Sequence, residues 1–334
     1  MAASIRFAKI YFLLWLLVGL LPAAADAAGI PKVLVVMSYH EGMPWENEIR
    51  QGIDESLQGA CEIRYVYLNT KNDFAGGSRK AEEAWRIFQQ FRPDGVLAAD
   101  DDAQALFVVP YLKDKVQTPV VFCGVNAGAG SYGYPASNVT GILERAHFRE
   151  SVTFLQQLVP GARSVGFMTN DTPTGRAYAE QIRQESSSYP LKAYSVRLVT
   201  TLAEAVTVAE AWKDQYDALF LIAMDGLSSY DGKPLAEKES FHFISRAFEK
   251  PVLGINEFNV REGLLCSVAK TGWEQGASAA AMLQSAMAGT PVRSIPIIRN
   301  LSGKRVLNIT VMKSLNIKPK PALLVGTELV ETEE

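Results

Sequence analysis

From Pro31 onward, short apolar runs alternate with longer amphipathic stretches, and this alternation leaves few architectures open. Val33-Leu34-Val35-Val36-Met37 is a continuous apolar run, the pattern of a strand covered on both faces. Pro44 then opens a helix with Glu46 and Glu48 in its first turn, where the dipole favours anions. Ile49, Ile53 and Leu57 recur every four residues as one buried stripe, and Gly59 ends it. The spacing predicts strands over Ile63 to Leu68, Val96 to Ala99 and Pro119 to Val125, separated by helices over Ser78 to Phe91 and Ala103 to Val116. A β-α-β-α-β-α-β series of this kind demands a parallel sheet with right-handed crossovers.

Asn138-Val139-Thr140-Gly141-Ile142 is a short strand with no helix of its own before it, and the series then restarts. Helices are expected over Glu150 to Leu158, Thr174 to Ser187, Leu202 to Gln215 and Glu237 to Phe248. Strands are expected over Ser164 to Met168, Ala193 to Val199, Ala218 to Ile222 and Pro251 to Ile255. Beyond them come a strand, Leu264 to Val268, a small-residue helix, Trp273 to Ala288, and extended segments at Ile295 to Ile298 and Val306 to Ile309. A short helical turn, Val311 to Leu315, precedes the proline-rich Lys318 to Pro321. Such an ending suits a chain that passes back between two lobes.

Residues 1–28 have a different grammar. Arg6 and Lys9 precede twelve nearly unbroken apolar residues, Ile10 to Leu21, and Pro22 leads into the small residues Ala23 to Ala28. That is a secretory signal peptide, with cleavage expected after Ala25, Ala27 or Ala28. The run is well short of the ~20 residues a membrane-spanning helix needs. The mature chain is therefore expected in the periplasm, without membrane insertion. Of 33 basic and 36 acidic side chains, Arg6, Lys9 and Asp26 lie in this leader, which leaves a net charge near −4. A mildly acidic protein has no electrostatic claim on nucleic acid. Cys61, Cys123 and Cys266 are too few for a disulfide framework, and buried thiols acting as small hydrophobes are expected.

Motifs for bond-making chemistry are poorly represented. Gly128-Ala129-Gly130-Ser131-Tyr132-Gly133 matches G-x-G-x-x-G, but Pro135 and Asn138 follow where a dinucleotide site needs a helix. His40, His147 and His242 are scattered and carry no metal-ligand spacing. Gly276-Ala277-Ser278-Ala279-Ala280 lacks the closing glycine of a nucleophile elbow. Neither catalytic residues nor a metal or cofactor are expected.

What remains is a set of polar and aromatic residues at the carboxyl ends of strands, where open parallel sheets bind ligands. In the first half these are Ser38, Tyr39, His40 and Trp45, then Asp100 and Asp101, then Gly124 and Asn126. In the second half they are Asn170 and Thr174, then Asp225, then Asn256 and Glu257. Each polar member could equally be a helix cap or turn former, and Asp102, just before a helix, reads as a cap. Tyr39 and Trp45 could stack on a ligand or pack in the hinge. Matching polar ends from both halves suit a small ligand clasped between lobes.

Several of these stretches resemble one family. Ser38-Tyr39-His40-Glu41-Gly42-Met43-Pro44-Trp45, Asn69 to Asn72, Ala99 to Ala103, Pro119 to Asn126 and Asn138 to Gly141 look like the substrate-binding proteins of ABC transporters with the type I periplasmic binding protein fold. The tail Asn308 to Pro319 also resembles that family's closing stretch, and the likeness is weakest between residues 170 and 260. The Ser-Tyr-His and Phe-Cys-Gly-Val-Asn elements are similar too to ligand-sensing domains of bacterial signalling proteins. The resemblance implies an α/β fold of two Rossmann-like lobes with parallel sheets joined by a multi-strand hinge. The expected division is a lobe over residues 29–140, a second over 141–262, and a hinge-crossing segment and tail over 263–334. It implies a monomer that delivers a small polar or amphipathic solute to an ABC transporter permease. Some members are thought to bind aromatic amino acids. An ammonium group would then meet Asp101, Asp225 or Glu257, and a carboxylate would meet helix N–H groups, with Arg145 and Arg176 in reach. The alternatives are a periplasmic sensor subunit presenting its closed form to a signalling partner, and an exported enzyme.

Overall fold

The computed structural model describes residues 29–333 apart from positions 74 and 192; the expected signal peptide lies outside the described residues. The first half runs β1 (Lys32–Met37), α1 (Pro44–Leu57), β2 (Glu62–Tyr67), α2 (Gly77–Phe91), β3 (Gly95–Ala99), α3 (Asp100–Ala103), β4 (Val120–Val125) and β5 (Val139–Leu143). The second runs α4 (Phe148–Leu158), β6 (Ser164–Asn170), α5 (Pro173–Glu185), β7 (Ala193–Val199), α6 (Leu202–Lys213), β8 (Ala218–Leu221), α7 (Glu237–Phe248), β9 (Val252–Leu253) and α8 (Glu257–Arg261). The tail adds β10 (Cys266–Ala269), α9 (Gly272–Met287), β11 (Ile298–Arg299), β12 (Lys304–Asn308), α10 (Ile309–Ser314), α11 (Pro321–Leu324) and β13 (Thr327–Val330).

These strands form two sheets, one per lobe. The first has the order β11-β5-β4-β3-β1-β2 and is parallel throughout. Alternate residues of its central strands feed opposite cores. Leu34, Val36, Val96 and Ala98 face α2, while Val33, Val35, Leu97 and Val121 face Ile49 and Ile53 of α1 and Ala279, Ala280 and Leu283 of α9. That two-sided burial is why these strands read as unbroken apolar runs. The second sheet has the order β13-β12-β10-β9-β8-β6-β7. Here β12 runs antiparallel to β10, so this sheet is mixed rather than wholly parallel.

The tail serves both lobes. Helix α9 packs on α1 so closely that a Cβ at Gly276 would lie 2.0 Å from the Ile49 carbonyl, and one at Gly52 would lie 2.2 Å from the Trp273 carbonyl. Strand β11 joins the first sheet beside β5, whereas β10, β12 and β13 complete the second. The backbone therefore passes between lobes three times: after β5, between β10 and α9, and between β11 and β12.

One expected helix changes. The helix foreseen over Ala103 to Val116 is one α-turn followed by a π-helical stretch, Gln104–Leu112, with Pro110 inside it. Proline lacks the N–H an α-helix needs there, and the wider register closes with Lys113 N–H on the Val108 carbonyl at 2.8 Å. The glycine loop 128–133 holds only a 3₁₀ turn, Ala129–Tyr132, with no helix to cradle a pyrophosphate. Among the described residues no group of His, Cys, Asp or Glu could hold a metal ion, and no helix is long and apolar enough to cross a membrane.

Candidate functional site

At the carboxyl edge of the first sheet the strand-end residues form one hydrogen-bonded group. The Ser38 hydroxyl donates to the Ala99 carbonyl at 2.6 Å and accepts from Ala103 N–H at 2.8 Å, which ties β1 to the start of α3. Tyr39 N–H donates to Oε1 of Glu46 at 2.7 Å, and the Lys71 ammonium lies 4.3 Å from the Tyr39 ring centre. His40 is half-buried at the same edge. Trp45 donates its indole N–H to Oδ1 of Asp100 at 2.8 Å. Asp100 is buried with φ +65°, a left-handed conformation that a side chain seldom adopts. Its neighbour Gly124 has φ +67°, and a Cβ there would lie 2.6 Å from Asp100 Oδ1.

Two buried oxygens in this group, Oε2 of Glu46 and Oδ2 of Asp100, have no hydrogen-bond partner. Burial pushes the Glu46 carboxyl up to about 7, against an ordinary 4.5, with Tyr39 N–H and Lys71 opposing. Burial also holds Asp100 well above the usual range, reinforced by Glu46 and Glu144. Backbone in a rare conformation beneath carboxyls that resist ionisation makes this group the candidate site of the first lobe.

Glu144, just past β5, extends the group. It accepts from the Asn126 amide at 3.2 Å and pairs with Lys270 in the second crossing. Burial alone would lower Lys270, but Glu144 and the Tyr178 hydroxyl outweigh it and raise it. Asp101 is engaged on both oxygens, by Asn126 N–H at 2.9 Å, Ala127 N–H at 3.2 Å and the Tyr132 hydroxyl at 2.7 Å. Gly124 N–H donates to the Gln275 side chain at 2.9 Å. Asp102 is not the expected cap: it accepts from the Thr70 hydroxyl at 2.6 Å.

The second lobe gathers a smaller set. The Asn170 amide donates to the Asp225 carbonyl at 3.0 Å and its oxygen accepts from the Thr172 hydroxyl at 2.8 Å. Thr172 caps α5 through Gly175 N–H, and Thr174 is exposed in the first turn. Asn256 and Glu257 stand apart from this set. Asn256 N–H is held by Asn259, and Glu257 is paired with Arg261 and Lys304 at 2.8 Å each. Arg145 spends its guanidinium on the carbonyls of Val125, Asn126, Ala127 and Glu144, and Arg176 pairs with Asp171 at 2.6 Å.

Sequence reasoning missed Glu144, Lys270 and the role of Glu46. The one available signal was the placement of charged residues directly after buried strands, at Glu144 and Lys270.

Two lobes of α/β structure, three chain crossings and polar strand ends define a two-lobed solute-binding protein. The chain belongs to the ABC transporter substrate binding protein family, whose model matches residues 33–330. Solved structures agree on the fold. A ligand-free, open substrate-binding protein with adhesive properties from Clostridium difficile is similar, with TM-score 0.70 and 16% identity over 91% of this chain and 100% of that one. A domain in complex with L-Trp from Streptococcus pneumonia has TM-score 0.54 and 17% identity over 90% and 99%. A sugar-binding protein of a sugar ABC transporter from Bacillus halodurans has TM-score 0.51 and 14% identity over 84% and 99%. No curated protein sequence matches. The two-lobed fold is that of type I periplasmic binding proteins.

Proposed function

We propose that the chain is the periplasmic solute-binding component of an ABC importer, and that it encloses a small polar or amphipathic ligand between its lobes. Export by residues 1–28 delivers it to that compartment, and the closed form meets the permease as a monomer. No bond is made or broken. The observation that carries this reading is the Trp45–Asp100–Glu46 group, which holds unpaired buried oxygens at the strand ends of one lobe, in a chain that crosses between lobes three times. An amino acid, aromatic ones included, is the first ligand class to test. The unpaired oxygens of Glu46 and Asp100 suit the N–H donors of an ammonium group, Tyr39 offers an aromatic face, and the pneumococcal neighbour carries L-Trp.

A thermal-shift screen of residues 29–334 against amino acids, nucleosides, sugars and small organic acids tests it. A ligand at 100 times its Kd should add about 2.7 kcal/mol to stability. Equilibrium dialysis should recover that ligand chemically unchanged. Turnover of the ligand would defeat the reading, as would failure of every class to shift the melt.

A further inference from the structure

One face of α5 touches all three crossings. Tyr178, Gln181 and Glu185, at i, i+3 and i+7, share a stripe. Tyr178 lies against Lys270 in the second crossing. The Gln181 amide donates to the Ala146 carbonyl of the first at 2.8 Å, and to Glu185 Oε1 at 3.1 Å. That Glu185 oxygen accepts from Arg299, the residue that opens the third crossing, at 2.6 Å. The same helix starts at Thr172, beside Asn170 and Asp225 at the strand ends. Glu185 is mostly buried, and its second oxygen has no partner. A half-buried ion pair of this kind is screened far less than a surface one.

We infer that α5 is the coupling element between solute site and hinge, with Gln181, Glu185 and Arg299 acting as positioning residues that set the angle between lobes without touching solute. This rests on the reading that the lobes close on a ligand. A shift at the amino end of α5 moves a stripe that grips every strand of the hinge at once. The first and third crossings are also tied to each other, since the Asn300 side chain accepts from Arg145 N–H at 2.7 Å and donates to the Arg145 carbonyl at 2.9 Å.

The test uses residues 29–334 with no added ligand, so it stands whether or not a solute is ever found. Glu185→Lys and Arg299→Glu should each speed amide hydrogen exchange about fivefold or more in segments 144–148 and 300–303. Each should also change the radius of gyration by small-angle scattering, while melting stays cooperative. The double charge swap should restore both readouts. Gln181→Ala, a milder change, should speed exchange in 144–148 alone. Wild-type exchange and dimensions in the single variants would overturn the inference. So would a double swap that leaves them altered, or a Gln181→Ala protein with unchanged exchange in 144–148.

Discussion

The indole N–H of Trp45 reaches Oδ1 of Asp100 at 2.8 Å, across 55 residues of sequence, and fixes a carboxyl that sits in left-handed backbone. Trp45→Phe keeps most of the apolar contact and deletes only this bond. A buried acceptor left unpaired costs about 1–3 kcal/mol. Urea unfolding should show that loss in the midpoint with an unchanged slope.

Gly124→Ala introduces two conflicts at once, a side chain at φ +67° and a Cβ 2.6 Å from Asp100 Oδ1. The expected loss is about 2 kcal/mol or more. Thermal melting checks it, and the same change at the open Gly128 should cost far less.

Glu46 titrates near 7 in the folded chain and at 4.5 in a free one, so between those values the folded state binds more protons. Its stabilising contribution is complete below pH 4.5 and is lost as pH rises through 7. Glu46→Gln keeps the acceptor for Tyr39 N–H and cannot ionise. It should gain up to about 3 kcal/mol over wild type at pH 8, at ~1.36 kcal/mol per pKa unit, and little at pH 4. Denaturation curves across that range decide it.

His147 gives the opposite slope. Burial lowers it from 6.5, with Glu150 opposing and Arg299 adding to the effect, and its Nε2 faces the Asn300 amide. The unfolded chain then binds the extra proton first, so stability falls as pH drops below 6.5 toward the depressed folded value. His147→Gln should flatten this acid limb, read as melting temperature between pH 4 and 7.

Expression of residues 1–334 with an intact secretion apparatus should yield a product beginning at residue 26, 28 or 29, as read by mass spectrometry of the intact chain. A periplasmic product that retains Met1 would contradict the cleavage expectation.

The strands of the first lobe were legible because both faces are buried, so Val33 to Met37 and Val120 to Val125 carry no polar interruption. Strand β13 was not, since Thr327-Glu328-Leu329-Val330 pairs on one side only and mixes exposed with buried positions. The strand-end cluster of Tyr39, Trp45, Asp100 and Asn126 could be read from position alone. Its completion by Glu144 and Lys270 could not, because each stands directly after a buried strand but the two are 126 residues apart and nothing in the sequence pairs them. The same distance hides Gln275 behind Gly124 and Asn300 behind Arg145, separated by 151 and 155 residues.

Because α9 and β11 return to the first sheet, that lobe lacks a covering helix and an edge strand until residue 299 has been made. The amino-terminal third therefore cannot close its own core, because Ile49 and Ile53 are covered only when Ala279, Ala280 and Leu283 arrive. A gene cut after residue 262 would strand Ile49 and Ile53 in water, and neither piece would behave as an autonomous module.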